Sequence, residues 1–127
     1  MNEAKAKILV VDDEEDILVL FKRLLEAKGF EVQTASNTMG AGYLLADFSP
    51  DLVVLDIMLP GSLSGDQACD TLRNLCPGVK IVFFSGMERG ALEALGAKHK
   101  ADAVISKGPR PSILVQTIHQ LLEIDES

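Results

Sequence analysis

The 127 residues include only two cysteines, two histidines and one tyrosine, with no tryptophan. Cys69 and Cys76 stand seven positions apart on what reads as one helix. That spacing is two turns, on the order of 10 Å along the axis, too far for a disulfide within an intact helix. They also lack the close spacing or histidine partners of a zinc site, so both are expected to be packing thiols. His99 and His119 read as solvent-facing, with nothing beside them that suggests catalysis, while Tyr43 and the five Phe read as core or partly buried packing. No apolar run approaches the roughly 18 residues a membrane span needs. Met1 is followed by Asn2, Glu3 and small or basic residues rather than by a basic segment and an apolar core. No secretory leader is therefore expected, and a cytoplasmic location follows. Basic residues are also scarce, 12 against 19 acidic for a net charge of −7. Counterion release needs clustered Lys and Arg, so direct nucleic-acid binding is not expected.

What is present is an ordinary globular composition, 47% hydrophobic and 24% charged, and a length that suits one domain over residues 1–127. Leu52 to Leu55 form an unbroken apolar run, as a strand buried on both faces requires, and the run stops at Asp56. Ile8 to Val11 is a second such run, stopping at Asp12 and Asp13. From Glu14 the period becomes helical, with Ile17, Leu20, Phe21, Leu24 and Leu25 on one predicted stripe and Gly29 ending it. Glu14, Glu15 and Asp16 fall in the first turn, where the helix dipole favours negative charge. Glu31 to Ala35 alternates as an edge strand would, and Ser36 or Asn37 then caps a helix to about Phe48. The turn-rich stretch Pro60 to Gly65 leads to a helix from about Asp66 to Leu75, with Ala68, Cys69, Leu72 and Leu75 inward. Val79 to Phe84 is the next buried strand, ending in Ser85 and Gly86, and a helix spans about Glu88 to Ala97. Leu92 and Leu95 share one side of it, and Gly90 and Gly96 within it make it the softest helix, the alternative for Gly96 being the C-cap. Ala103 to Ser106 is a short strand ending in Lys107, and the last helix runs from about Ser112 to Ile124 with Leu114, Ile118, Leu121 and Leu122 inward. Five βα units predict a doubly wound α/β fold, a five-stranded parallel sheet with helices on both faces in the order 2-1-3-4-5.

In that order the four strands ending in Asp12 and Asp13, Asp56, Ser85 and Lys107 are neighbours, and open parallel sheets bind ligands outside the carboxyl ends of their strands. Carboxylates within about 5 Å repel by on the order of 3 kcal/mol per pair at an effective dielectric near 20, so a cation is required among them. A cluster of carboxylates, water and a carbonyl suits Mg²⁺, which binds alongside phosphate. A Lys donor and a Ser hydroxyl opposite would complete a clamp around a phosphoryl group.

Four separated motifs, VVDDE at 10 to 14, LVVLDIMLP at 52 to 60, FFSG at 83 to 86 and Lys107, make the chain resemble a two-component response-regulator receiver domain over essentially its whole length. The resemblance implies a flavodoxin-like (βα)5 fold. It also implies that Asp56 is the phospho-acceptor, that Asp13 binds Mg²⁺ directly and Asp12 through water, and that the Met58 backbone carbonyl is a further ligand. Ser85 would bond a phosphoryl oxygen, Lys107 would pair with the phosphate, and Met58 and Met87 would flank the approach of a hydrolytic water. The implied partners are a histidine kinase or histidine phosphotransfer protein, which supplies the phosphoryl group, and a downstream protein target or an output domain. Such a protein catalyses only its own phosphorylation and dephosphorylation.

The sequence departs from the family pattern at three places. Val104 stands where an aromatic is usual, Gly108 follows Lys107 where proline is usual, and Gly65 lies nine residues after Asp56 rather than eight. Val104 and Gly108 favour a second reading, a pseudo-receiver that binds proteins without being phosphorylated. A third, an aspartate-nucleophile phosphatase resembling the haloacid dehalogenase group, requires a second Asp two residues after the nucleophile, where Met58 stands.

Overall fold

Why the inner strands are so largely apolar is plain from their surroundings in the computed structural model, which describes residues 5–58, 65–108 and 112–123. The described elements run β1 Lys7–Val11, α1 Glu15–Ala27, β2 Glu31–Ala35, α2 Thr38–Phe48, β3 Leu52–Leu55, α3 Gly65–Leu75, β4 Lys80–Ser85, α4 Arg89–His99, β5 Ala103–Ser106 and α5 Ser112–Leu122. The sheet has the order β2-β1-β3-β4-β5 with every pairing parallel, as expected. Alternate strand residues feed two cores. Ile8, Val10, Leu52, Val54, Val82, Phe84 and Ile105 pack with Leu18, Phe21 and Leu25 of α1 and with Leu114, Val115 and Ile118 of α5. On the other face Leu9, Val11, Val53, Leu55, Ile81 and Phe83 meet Ala41 and Leu45 of α2, Cys69 and Leu72 of α3, and Leu92 of α4. The predicted loop with Pro60, Gly61 and Ser62, the stretch Pro109 to Pro111 and the predicted helix end at Ile124 lie outside the described residues, as do the side chains of Tyr43 and Ala68.

Local chemistry sets the boundaries. Gly29 has φ +95° and closes α1 in a Schellman arrangement, with Phe30 N–H donating to Leu25 O and Gly29 N–H to Glu26 O. Asn37 caps α2 by accepting from Gly40 N–H at 2.7 Å, and Glu88 caps α4 by accepting from Ala91 N–H at 2.8 Å.

Several inward faces differ from expectation. On α1 the buried residues are Leu18, Phe21 and Leu25, whereas Leu20 is exposed. Apolar residues fill 17 to 21 without a break, so the period permits two stripes, and the angle at which α1 lies on the sheet selects the one through Leu18. Leu75 is likewise exposed, since α3 ends there and turns away, and Val115 is buried on α5 in addition to the expected residues. Gly96 is an interior helical residue rather than a C-cap; that role falls to Lys100, in the left-handed region at φ 59°. Neither histidine faces solvent fully. His99 lies 6.5 Å from the Phe83 ring with Nδ1 3.6 Å from Asp70 Oδ2, and the His119 ring lies 5.5 Å from Phe30. An imidazole presents an apolar body with polar edges, so it shares a boundary position as easily as it faces water.

Candidate functional site

The carboxyl edge of the sheet gathers the predicted groups because the hydrogen-bond ladders continue one residue past the strands. Val11 and Leu55 are register partners, so Asp12 and Asp56 emerge at one level. Asp12 N–H donates to Ala35 O at 3.1 Å and Asp56 N–H to Val11 O at 2.9 Å. On the other side of β3, Ser85 pairs with Ser106, and Lys107 N–H donates to Ser85 O at 2.8 Å. The backbone that aims each functional side chain is thereby part of the sheet, a rigid support for a site.

Asp12, Asp13 and Asp56 each offer a carboxylate oxygen within 4.8 Å of the others, Asp12 and Asp56 buried and Asp13 exposed. Each buried carboxylate divides its two oxygens between a backbone amide and a lysine. Asp12 Oδ1 accepts from Glu14 N–H at 2.9 Å, and Asp56 Oδ1 accepts from Met58 N–H at 2.9 Å. Lys107 Nζ lies 3.0 Å from Asp12 Oδ2 and 3.2 Å from Asp56 Oδ2, and it also reaches Glu14 Oε1 at 2.9 Å. Gly108 therefore leaves the lysine over the acids. Burial pushes the Asp12 carboxyl up from its ordinary value, opposed by the Glu14 amide and by Lys107 and reinforced by the charge of Asp56. Burial works against the Lys107 charge as well, but the bonds to Glu14, Asp12 and Asp56 outweigh it and hold the ammonium above the ordinary lysine value.

Ser85 is fully buried, and its Oγ accepts from Met87 N–H at 3.1 Å. A hydroxyl accepting there keeps its own proton free to donate. Met58 is exposed, whereas Met87 packs partly buried against the core beneath α4. The structure thus brings Asp12, Asp13, Asp56 and Lys107 into one cluster, with Ser85 on the strand beside it. Sequence reasoning missed Glu14 as a member, because its place at the start of α1 already had a sufficient electrostatic reason. Its adjacency to the Asp12–Asp13 pair was the available signal.

The donor set is all oxygen and anionic, which fits a hard divalent cation such as Mg²⁺. Among the described residues no helix is long and apolar enough to cross a membrane.

Known proteins resemble this chain over most of its length. Residues 8–119 match the family model for the response regulator receiver domain. The chain is 35% identical over 120 residues to the alkaline phosphatase synthesis transcriptional regulatory protein PhoP of Bacillus subtilis (strain 168), covering 94% of this chain and 50% of that protein. It is 32% identical over 122 residues to the DNA-binding response regulator MtrA of Mycobacterium tuberculosis (strain H37Rv), covering 96% of this chain and 53% of that one. The chain thus spans about half the length of these curated relatives. Among solved structures, a CheY-like response regulator receiver domain protein from Methanospirillum hungatei JF-1 superposes with TM-score 0.86 at 28% identity, covering 94% of this chain and 95% of that one. The response regulator TrrA from Thermotoga maritima, in complex with Mg²⁺-BeF, superposes with TM-score 0.80 at 30% identity, covering 91% and 98%.

Proposed function

The chain belongs to the response regulator receiver domain family, and from that premise we propose that residues 1–127 act as a single phospho-accepting switch in which Asp56 takes a phosphoryl group from a histidine kinase or histidine phosphotransfer protein. The observation that carries the proposal is the setting of Asp56, a buried carboxylate at the centre of the sheet edge with Lys107 at 3.2 Å and two further acids beside it. A carboxylate oxygen of Asp56 attacks phosphorus, and the bond from phosphorus to the donor breaks with its electron pair leaving on the donor. Lys107 exchanges a carboxylate for a phosphoryl oxygen, and the Ser85 hydroxyl donates to another while still accepting from Met87 N–H. The backbone carrying each donor is part of the sheet edge, so little backbone reorganisation opposes charge shifting onto the phosphoryl oxygens. Asp12, Asp13, Asp56 and the Met58 carbonyl would hold Mg²⁺, which neutralises negative charge on carboxylates and phosphoryl oxygens alike. Support for that assignment comes from TrrA, whose solved form carries Mg²⁺-BeF. The signal would pass in the cytoplasm to a protein target or an output domain, without direct contact between these residues and nucleic acid.

Incubation with acetyl phosphate and Mg²⁺, followed by intact-mass measurement, tests the proposal. The wild type gains one phosphoryl group, and Asp56→Asn, which is nearly isosteric, gains none while keeping its fold. Stoichiometric labelling of the mutant at another residue would sink the assignment. Absence of label on the wild type favours the pseudo-receiver, the reading that Val104 and Gly108 support. Mg²⁺ raises the melting temperature of the wild type but not of Asp13→Ala, because the cation relieves carboxylate repulsion that folding creates; equal increases in both would count against the metal assignment.

A further inference from the structure

β2 is an edge strand, paired with β1 on one side only. In a parallel ladder, successive residues turn their N–H and C=O to opposite sides. Glu31 N–H donates to Ala6 O, and Ala35 O accepts from Asp12 N–H, so Glu31, Gln33 and Ala35 bond toward β1. Val32 and Thr34 therefore turn theirs to the open side. An edge of this kind is a template for another strand. Yet Val32 is only 2% exposed, and its outward carbonyl accepts from Lys22 Nζ of α1 at 3.0 Å. A charge carried by the neighbouring helix thus sits on the open edge of the sheet.

We propose that Lys22 is a guard that closes the β2 edge to strand addition by a second copy of this chain. The occupant follows from the register. Two β2 strands paired antiparallel about Gln33 set Val32 of each opposite Thr34 of the other, and these are the residues whose N–H and C=O face outward, so each pair exchanges both its bonds. Glu31 then faces Ala35 rather than a second carboxylate, so no like charges oppose. What stands in the way is the ammonium on the Val32 carbonyl that an arriving Thr34 N–H must reach. Although a carbonyl has two lone pairs, an ammonium is strongly hydrated, and at 3.0 Å it leaves no dry approach for a second strand. The guard is independent of the chemistry at Asp56.

The test is self-association by sedimentation equilibrium, on wild type, Lys22→Ala, Lys28→Ala and Lys22→Ala combined with Gln33→Glu. Lys22→Ala opens the edge and is expected to dimerise roughly tenfold or more tightly than wild type, since each dimer loses two guards. As it is concentrated, the amide NMR signals of Val32 and Thr34 should shift and exchange more slowly with solvent. Lys28, exposed at the end of α1, offers the control. Lys28→Ala makes the same change in net charge and is expected to associate no more than wild type. Gln33→Glu sets two carboxylates opposite each other on the two-fold axis and should undo the association. Equal gains in the two lysine variants would show a net-charge effect and overturn the guard. Dimers that survive Gln33→Glu, or whose amide changes lie away from β2, overturn it as well. A Lys22→Ala protein that melts lower yet dimerises no more than wild type would show Lys22 to be only a strap between α1 and β2, and the guard falls.

Discussion

Asp12 is pulled in two directions at the scale of a single side chain. Burial and the charge of Asp56 disfavour its ionised form, the Glu14 amide and Lys107 favour it, and the balance leaves its carboxyl raised above 3.8. A raised carboxyl pKa means that the folded chain holds the proton more tightly than the unfolded chain does. That contribution to stability is therefore complete below the ordinary value and lost as pH rises through the folded value. At neutral pH the ionised Asp12 is thus a net cost, and Asp12→Asn should raise the melting temperature of the metal-free protein. Melts in chelator should show the gap between mutant and wild type closing as pH falls and the wild-type Asp12 itself becomes neutral. A gap that widens on acidification contradicts this account. The acids of the site were legible in the sequence because Asp12 and Asp56 each follow an apolar run directly, with Asp13 next to Asp12, and nothing in a buried strand needs an acid there. Glu14 and His99 were not legible, since their local settings, a helix start and a helix end, give adequate reasons for them, and only the fold brings Lys107 or Phe83 alongside.

Among the elements, α4 shows how a helix can be fixed at one end. A Cβ on Gly96 would stand 2.5 Å from Val104 Cγ1, so the helix approaches β5 as closely as glycine alone permits. The guanidinium of Arg73 donates to the carbonyls of His99 and Lys100, tying the same end of α4 to α3. Gly96→Ala should therefore destabilise the protein by about 1 to 3 kcal/mol, although alanine is by itself the better helix former by about 1 kcal/mol. Val104 is β-branched and cannot swing aside. Adding Val104→Ala makes room, so the double mutant should lose less stability than the sum of the two single losses in denaturant unfolding. Strict additivity would show that the contact is not what restrains α4. Strands were legible here and helix faces less so, for one physical reason. A strand covered on both faces must be apolar throughout, whereas a run such as residues 17 to 21 is compatible with more than one rotation of α1, and only packing against the sheet decides between Leu18 and Leu20.

At the scale of the whole molecule, the question is where a change at the sheet edge can travel. Ser85 ends β4, its Oγ is bonded to Met87 N–H, and α4 begins at Arg89, so any displacement of that hydroxyl passes first into the segment leading to α4. The far end of α4 is held by Gly96 against Val104 and by Arg73. On the opposite layer Leu114, Val115 and Ile118 of α5 are buried in the other core, and Val104 contacts the α4 side of the sheet. A phosphoryl mimic should therefore move the first half of α4 about its anchored second half. On adding beryllofluoride and Mg²⁺, backbone amide shifts should be largest from Ser85 to Leu92, fall away by Gly96, and stay small along α5. Gly96→Ala, by loosening the anchor, should spread the shifts toward His99. Changes centred on α5, or a response uniform along α4, would show that the switch is not hinged at the Gly96–Val104 contact.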